Sequence, residues 1–404
     1  MASCWGPIGK CATYSSGASE WYGMVDSWAS ICASRTKLSP GEHSVSGHSE
    51  RGGIGVTELV PVIDIAGWFS GHAMARRRVA LAVDDACRRT GFFQIVGHGI
   101  DESLRGAIKD VADQFFALPE AEKRRYEPSS REVNRGYSGR KSESLSYSIG
   151  APRPPDLAEA FIVGNDRVVD GDPYFEAQRH RSFAPNLWPS RPPRFREVVW
   201  SYFVAVDALS HEMCRIAAVA LGLDDDFFDS RVDKAIATLR CNWYRRHADE
   251  IVLADGQMAL GAHTDYGILT ILMADPIPGL QVVASDGNWY DVMPLEEGFV
   301  VNTGDALAMW TNDEWASTIH RVVPPKTIDA DRRRSFAFFQ DGNYDAVIEC
   351  LPTCLSADRP ARYAPITLGD HVLDKIVGGR AQTALQSAVQ TTGDRLGDQS
   401  RGMR

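Results

Sequence analysis

Residues 263–283 read HTDYGILTILMADPIPGLQVV. Two short apolar runs, Leu269 to Met273 and Gly279 to Val283, are separated by turn residues. Short apolar runs bounded by turn signals read as strands. The same texture continues in both directions, through Thr238 to Trp243, Trp289 to Val292, Phe299 to Asn302 and Phe336 to Phe339. The turns Asp286-Gly287 and Asn302-Thr303-Gly304-Asp305 punctuate it. From about Ala237 to Gln340 the spacing therefore predicts a β-sandwich or barrel.

The chain before this region is mixed. A strand is expected over Val60 to Ile65, then a helix from Met74 to Arg89 with Val79, Leu81, Ala82 and Cys87 towards the core. A strand follows between glycine turns in Gly91 to Ile100, and His98 within it reads as structural. Asp101 suits the N-cap of a helix running to about Leu118, and Pro119 opens a short third one. Residues 128–192 read as loops and short strands, Glu159 to Val163 among them. Phe195, Val198, Val199, Tyr202, Val206, Leu209, Met213, Ile216 and Ala220 then repeat at helical spacing, predicting a long helix from Pro193 to Leu221. The division expected is an N-terminal extension of poor order over 1–57, an N-terminal α/β region over 58–192, the long helix plus a barrel core over 193–375, and a polar C-terminal tail over 376–404.

Composition narrows the function. Of 404 residues 44% are hydrophobic and 24% charged, ordinary globular usage, so a sizeable core is expected. The net charge of -10 argues against a nucleic-acid partner, because phosphate binding needs a basic field. The eight cysteines are scattered with no C-x-x-C pair, as in a cytoplasmic protein with reduced thiols. No long apolar run suggests a membrane span, and no secretory signal is readable.

The chemistry starts at His263-Thr264-Asp265. On a strand, positions i and i+2 share a face, so an imidazole and a carboxylate would stand side by side. His320, at the start of the strand-like stretch His320-Arg321-Val322-Val323, supplies a third ligand. Two histidines and one carboxylate cover one face of an octahedral metal and leave positions open, the arrangement of non-haem Fe(II) oxygenases. Arg333-Arg334-Ser335 offers an anchor for a carboxylate, with Arg333 and Ser335 on one face and Arg334 on the other. Asn242-Trp243-Tyr244 repeats that i, i+2 logic with an amide and a phenol.

The order N-x-Y, H-x-D, H, R-x-S resembles the isopenicillin N synthase-like branch of the Fe(II)/2-oxoglutarate-dependent dioxygenases. Pro278-Gly279-Leu280-Gln281-Val282, Asn302-Thr303-Gly304-Asp305 and Thr311-Asn312-Asp313 match it as well. So do Pro61-Val62-Ile63-Asp64, Gly91-Phe92-Phe93, Gly97-His98-Gly99 and Arg135-Gly136-Tyr137 in the leading half. The resemblance implies a mostly β fold with flanking helices, a distorted double-stranded β-helix or jelly roll. It implies Fe(II) on His263, Asp265 and His320. It implies 2-oxoglutarate with its far carboxylate on Arg333 and Ser335, helped by Asn242 and Tyr244, and O2 as the second cosubstrate. A small organic molecule would be hydroxylated, desaturated or cyclised with release of succinate and CO2, in specialised metabolism by analogy with the branch. The gap from His320 to Arg333 is longer than is common there, pointing to a longer turn before the last strand.

Arg140, Tyr147, Phe161, Trp310 and Phe338 are the expected substrate contacts. Three readings compete. Within the fold, an oxidase could bind its substrate's own carboxylate at R-x-S and dispense with 2-oxoglutarate. Outside it stand a binding protein without turnover and a zinc hydrolase, for which no general base is evident. A halogenase is disfavoured because Asp265 holds the position a halide would need. Nothing in the sequence picks out the substrate or an oligomeric state.

Overall fold

The structure is a computed structural model. It describes residues 59–130, 132–146, 153–245, 256–324 and 332–381. The expected extension over 1–57 and most of the expected tail lie outside these residues.

Five helices and fourteen strands among the described residues are used below. In chain order they begin with β1 (Val62–Asp64), α1 (Ala73–Arg89), β2 (Phe92–Val96), α2 (Glu102–Phe116), β3 (Gly136–Ser138), β4 (Glu159–Gly164) and α3 (Phe195–Ala220). Next come β5 (Thr238–Tyr244), β6 (Leu260–His263), β7 (Leu269–Ala274), β8 (Leu280–Val283), β9 (Trp289–Asp291) and β10 (Phe299–Thr303). The last are α4 (Asp305–Trp310), β11 (His320–Val322), β12 (Arg333–Gln340), β13 (Val347–Ile348), β14 (Ile366–Thr367) and α5 (Leu368–Ala381). One sheet has eight strands in the order β1-β2-β10-β7-β12-β5-β4-β3, and a second has four in the order β6-β11-β8-β9. Apart from the parallel pair β1/β2, every pairing in these two sheets is antiparallel.

Strand alternation gives the large sheet two different faces. Leu239, Cys241 and Trp243 of β5, with Phe336 and Phe338 of β12, belong to the main core. That core is covered by α3, whose Phe203 meets Phe338 edge-on with ring centroids 5.1 Å apart. Such a pair contributes roughly 1 kcal/mol beyond its burial. The opposite face, carrying Thr238, Arg240, Asn242 and Tyr244 of β5 and Arg333, Ser335, Ala337 and Phe339 of β12, lines a cavity. Leu260 and His263 of β6, Leu280 of β8 and His320 and Val322 of β11 close that cavity from the small sheet.

Two expectations need correction. On α1 the buried residues are Val79, Ala80, Val83, Ala86 and Cys87, whereas Leu81 is 56% exposed. At about 100° per residue, Leu81 lies about 200° from Val79, on the solvent side. The turn read at Asn302-Thr303-Gly304-Asp305 is also the start of a helix: Gly304 is the N-cap of α4, all six of whose residues are buried. The short run Ala306 to Trp310 is apolar throughout and carries no period that separates helix from strand. His98 is structural as expected. Its Nδ1 accepts from Ile100 N (3.1 Å) and its Nε2 donates to Glu297 O (2.8 Å).

Candidate active site

His263 ends β6 and His320 begins β11, and the two are direct cross-strand partners. Their rings lie 4.3 Å apart, centre to centre. Asp265 is not on the strand, contrary to the i, i+2 expectation; it sits in the connection to β7. What holds it is backbone: Asp305 N, at the first turn of α4, donates to Asp265 O at 2.8 Å. Asp265 Oδ1 then lies 3.7 Å from Nε2 of His263 and 3.7 Å from Nε2 of His320. One ligand atom from each of the three residues falls within 4.8 Å of the others, and all three are buried.

The remaining polar atoms of this triad are occupied. His263 Nδ1 meets Gly261 O at 2.7 Å and His320 Nδ1 meets Thr318 O at 3.1 Å. A carbonyl only accepts, so each Nδ1 carries the hydrogen and each Nε2 presents its lone pair inward. Asp265 Oδ2 accepts from Thr270 Oγ1 (2.5 Å) and Asn302 Nδ2 (2.7 Å). Burial, with the neighbouring His320 adding, lowers the pKa of His263 to about 4, so its imidazole is neutral near neutral pH. Two inward-facing Nε2 atoms beside a carboxylate with one open oxygen fit a divalent metal.

The second cluster lies on the large sheet. Arg333 pairs with Tyr244 and Ser335 with Asn242 across β12 and β5, so four side chains form one patch. Ser335 Oγ is 3.2 Å from Asn242 Nδ2 and 3.1 Å from Tyr244 Oη. Arg333 is 1% exposed. Its Nε donates to Ile277 O at 3.3 Å, while Nη1 and Nη2 have no hydrogen-bond partner among the described residues. A buried guanidinium with two unmet donors on a cavity wall fits a carboxylate brought by a ligand. Arg334 points to the other side, where it is held by Asp275 (3.0 Å) and Asp113 (3.1 Å).

Two family models match the chain. Residues 60–191 match the N-terminal domain described as non-haem dioxygenase in morphine synthesis, and residues 235–342 match the 2OG-Fe(II) oxygenase superfamily. A 2-oxoglutarate-Fe(II) type oxidoreductase, hxnY of Emericella nidulans, is 35% identical over 319 residues, 77% of this chain and 88% of that protein. The chain belongs to the 2OG-Fe(II) oxygenase superfamily. Homoarginine-6-hydroxylase of rice is 32% identical, covering 79% of this chain and 97% of that one. The crystal structure of a full-length Neurospora crassa protein in complex with alpha-KG and thymine superposes with a TM-score of 0.69 at 29% identity, over 78% of this chain and 96% of that one. As a member of this superfamily the protein is a dioxygenase of small molecules that uses Fe(II) and 2-oxoglutarate, and its two sheets form the family's jelly roll. The isopenicillin N synthase-like branch is consistent with both matches.

The expected substrate contacts fare differently in this oxygenase. Phe161, Trp310 and Phe338 lie in the main core, each 1% exposed or less. The cavity is lined instead by Ile162 and Phe339, one residue along from Phe161 and Phe338. A one-residue error on a strand exchanges its faces. Trp310 is turned inward on α4, with its indole nitrogen donating to Val347 O at 3.2 Å. Arg140 donates from Nε to Leu157 O at 3.1 Å and is not on the cavity wall. Tyr147 lies outside the described residues. Glu143, Arg240, Asp341 and Lys375 also line the cavity and went unread in the sequence. Arg240 and Asp341 could have been found by extending the even spacing from Asn242 and from Arg333; Glu143 and Lys375 carry no local signal.

Proposed function

We propose that His263, Asp265 and His320 hold Fe(II), and that Arg333 and Ser335, supported by Asn242 and Tyr244, bind the far carboxylate of 2-oxoglutarate. The reaction proposed is oxidation of a C–H bond in a small organic molecule, ending in hydroxylation, desaturation or ring closure. The observation that carries this reading is the pair of unmet Arg333 donors lining the same cavity as the open faces of the triad. Iron with 2-oxoglutarate and O2 supplies the oxidising power, leaving succinate and CO2.

The chain's own part is orientation and shielding. Gly261 O and Thr318 O fix the imidazole planes, and Thr270 and Asn302 fix the carboxylate. Arg333 sets the direction in which the cosubstrate lies. Phe92, Leu260, Leu272, Leu280 and Val322 make much of the wall apolar, which excludes water from the reacting carbon. No helix among the described residues is long and apolar enough to cross a membrane. The scattered cysteines support a cytoplasmic enzyme, and the acidic net charge one without a nucleic-acid partner. The branch it resembles supports a place in specialised metabolism.

The test is anaerobic addition of Fe(II) and 2-oxoglutarate to the apoprotein. A weak visible charge-transfer band is expected, absent in His263→Ala and in Asp265→Ala. Bound iron without the band would favour the oxidase that needs no 2-oxoglutarate. Failure to bind iron would overturn the reading.

A further inference from the structure

Among the described residues six charged side chains line the cavity: Glu143, Arg240, Asp265, Arg333, Asp341 and Lys375. Three of them have a protein partner of opposite charge. Arg240 Nη2 is 2.7 Å from Glu143 Oε1, and Lys375 Nζ is 2.5 Å from Asp305 Oδ2 on a pair almost wholly buried. On the site assignment proposed above, on which this inference rests, Asp265 faces the metal and Arg333 the cosubstrate. Fe(II) and Arg333 together then balance Asp265 and the two carboxylates of 2-oxoglutarate. Of the six, Asp341 is left as the one charge without a counterpart.

Its surroundings agree. Asp341 lies one residue past β12, on the alternation that carries Arg333, Ser335 and Phe339 to the cavity. It is 6% exposed, and among the described residues no donor or cation meets its carboxylate. Room for it is made by Gly267, directly beyond the metal loop: a Cβ there would lie 2.3 Å from Asp341 Oδ1. Burial is the main cause of a pKa pushed up to about 7, so its full charge is restored only when a cation meets it. A carboxylate buried without a partner costs stability that a cation brought by a ligand returns. A neutral ligand of the same shape would leave that cost standing, which is how an unmatched charge discriminates.

We infer that Asp341 anchors a positively charged nitrogen of the substrate, an ammonium or guanidinium group, while the carbon to be oxidised lies nearer the triad.

The test uses full-length protein loaded with Mn(II) and 2-oxoglutarate, so that binding is read without turnover. Calorimetric titrations compare three matched pairs: benzylamine with benzyl alcohol, cyclohexylmethylamine with cyclohexylmethanol, and 4-phenylbutylamine with 4-phenylbutanol. At least one amine is expected to bind about tenfold or more tighter than its alcohol. That preference should vanish in Asp341→Asn while 2-oxoglutarate binds both proteins alike. Asp341→Ser gives the same readout should the first variant fail to fold. Equal binding within every pair, no binding of any amine, or a preference that survives both substitutions overturns the inference. Failure of 2-oxoglutarate to bind the wild-type protein would instead break the site assignment, and the charge balance would fall with it.

Discussion

The two ends of the cavity are built on opposite plans. At the triad, every polar atom that does not face the centre is already bonded: two Nδ1 atoms to carbonyls and Asp265 Oδ2 to two donors. At Arg333, only Nε is bonded among the described residues, and both terminal nitrogens are open. A metal ion demands fixed ligand geometry, so its residues are locked in advance. A cosubstrate that is consumed and released each cycle needs a site whose bonds are completed only when it arrives. On the proposed assignment, the closed end would set geometry and the open end would set binding.

The largest effect should separate Arg333 from its neighbour. Arg333→Gln removes the buried cation that the far carboxylate would meet, at about 2–5 kcal/mol, so the Kd for 2-oxoglutarate should rise about 30-fold or more. Arg334→Gln should change that Kd by less than about threefold, because its side chain is taken up by Asp275 and Asp113 on the other face. It should instead cost about 1–3 kcal/mol of stability, since Asp275 is left buried and short of its partner. Titration of both variants with 2-oxoglutarate, followed by denaturant melts, checks this. Equal losses of affinity would mean that the open end is not where the contrast puts it.

A smaller effect belongs to the closed end. Asn302→Ala leaves Asp265 Oδ2 with Thr270 alone. Supporting bonds of this kind are worth about 10–100-fold in metal affinity. Fe(II) or Mn(II) binding should therefore weaken about tenfold, with 2-oxoglutarate affinity at saturating metal nearly unchanged. If cosubstrate affinity fell as far as metal affinity, the two ends would be one coupled unit and not two.

Legibility in the sequence follows the same physics. That His263, Asp265, His320, Arg333, Ser335, Asn242 and Tyr244 would share one cavity could be read because each pair repeats at i, i+2 or follows a fixed chain order. The triad came together even though Asp265 left its strand, because α4 holds its backbone from a distance no local spacing reports. The long helix α3 was readable from its sustained period. What failed were choices of face on short elements. Leu81 was assigned to the core and is exposed, while Phe161 and Phe338 were assigned to the cavity and are in the core. Large aromatics attract a functional reading, yet on a sheet covered on both sides the core claims them first. Only the parity set by Asn242 and Arg333 decides which residues turn inward.

That parity gives the smallest prediction, on two adjacent phenylalanines of β12. Phe338 is fully buried against Phe203 of α3, while Phe339 is half-buried on the cavity wall. Phe338→Leu keeps the site apolar but loses an aromatic pair and some volume, so stability should fall by about 1–1.5 kcal/mol. Its Kd for 2-oxoglutarate should not move. Phe339→Leu should leave stability within about 0.5 kcal/mol, since the side chain borders open cavity rather than packed core. Its consequence should be confined to how a substrate seats. Chemical denaturation of the two variants in parallel is sufficient to check it. If Phe339→Leu were the more destabilising, the wall of β12 that carries Arg333 and Ser335 would be the packed face, and the open end of the cavity would have to be sought on the other side of the sheet.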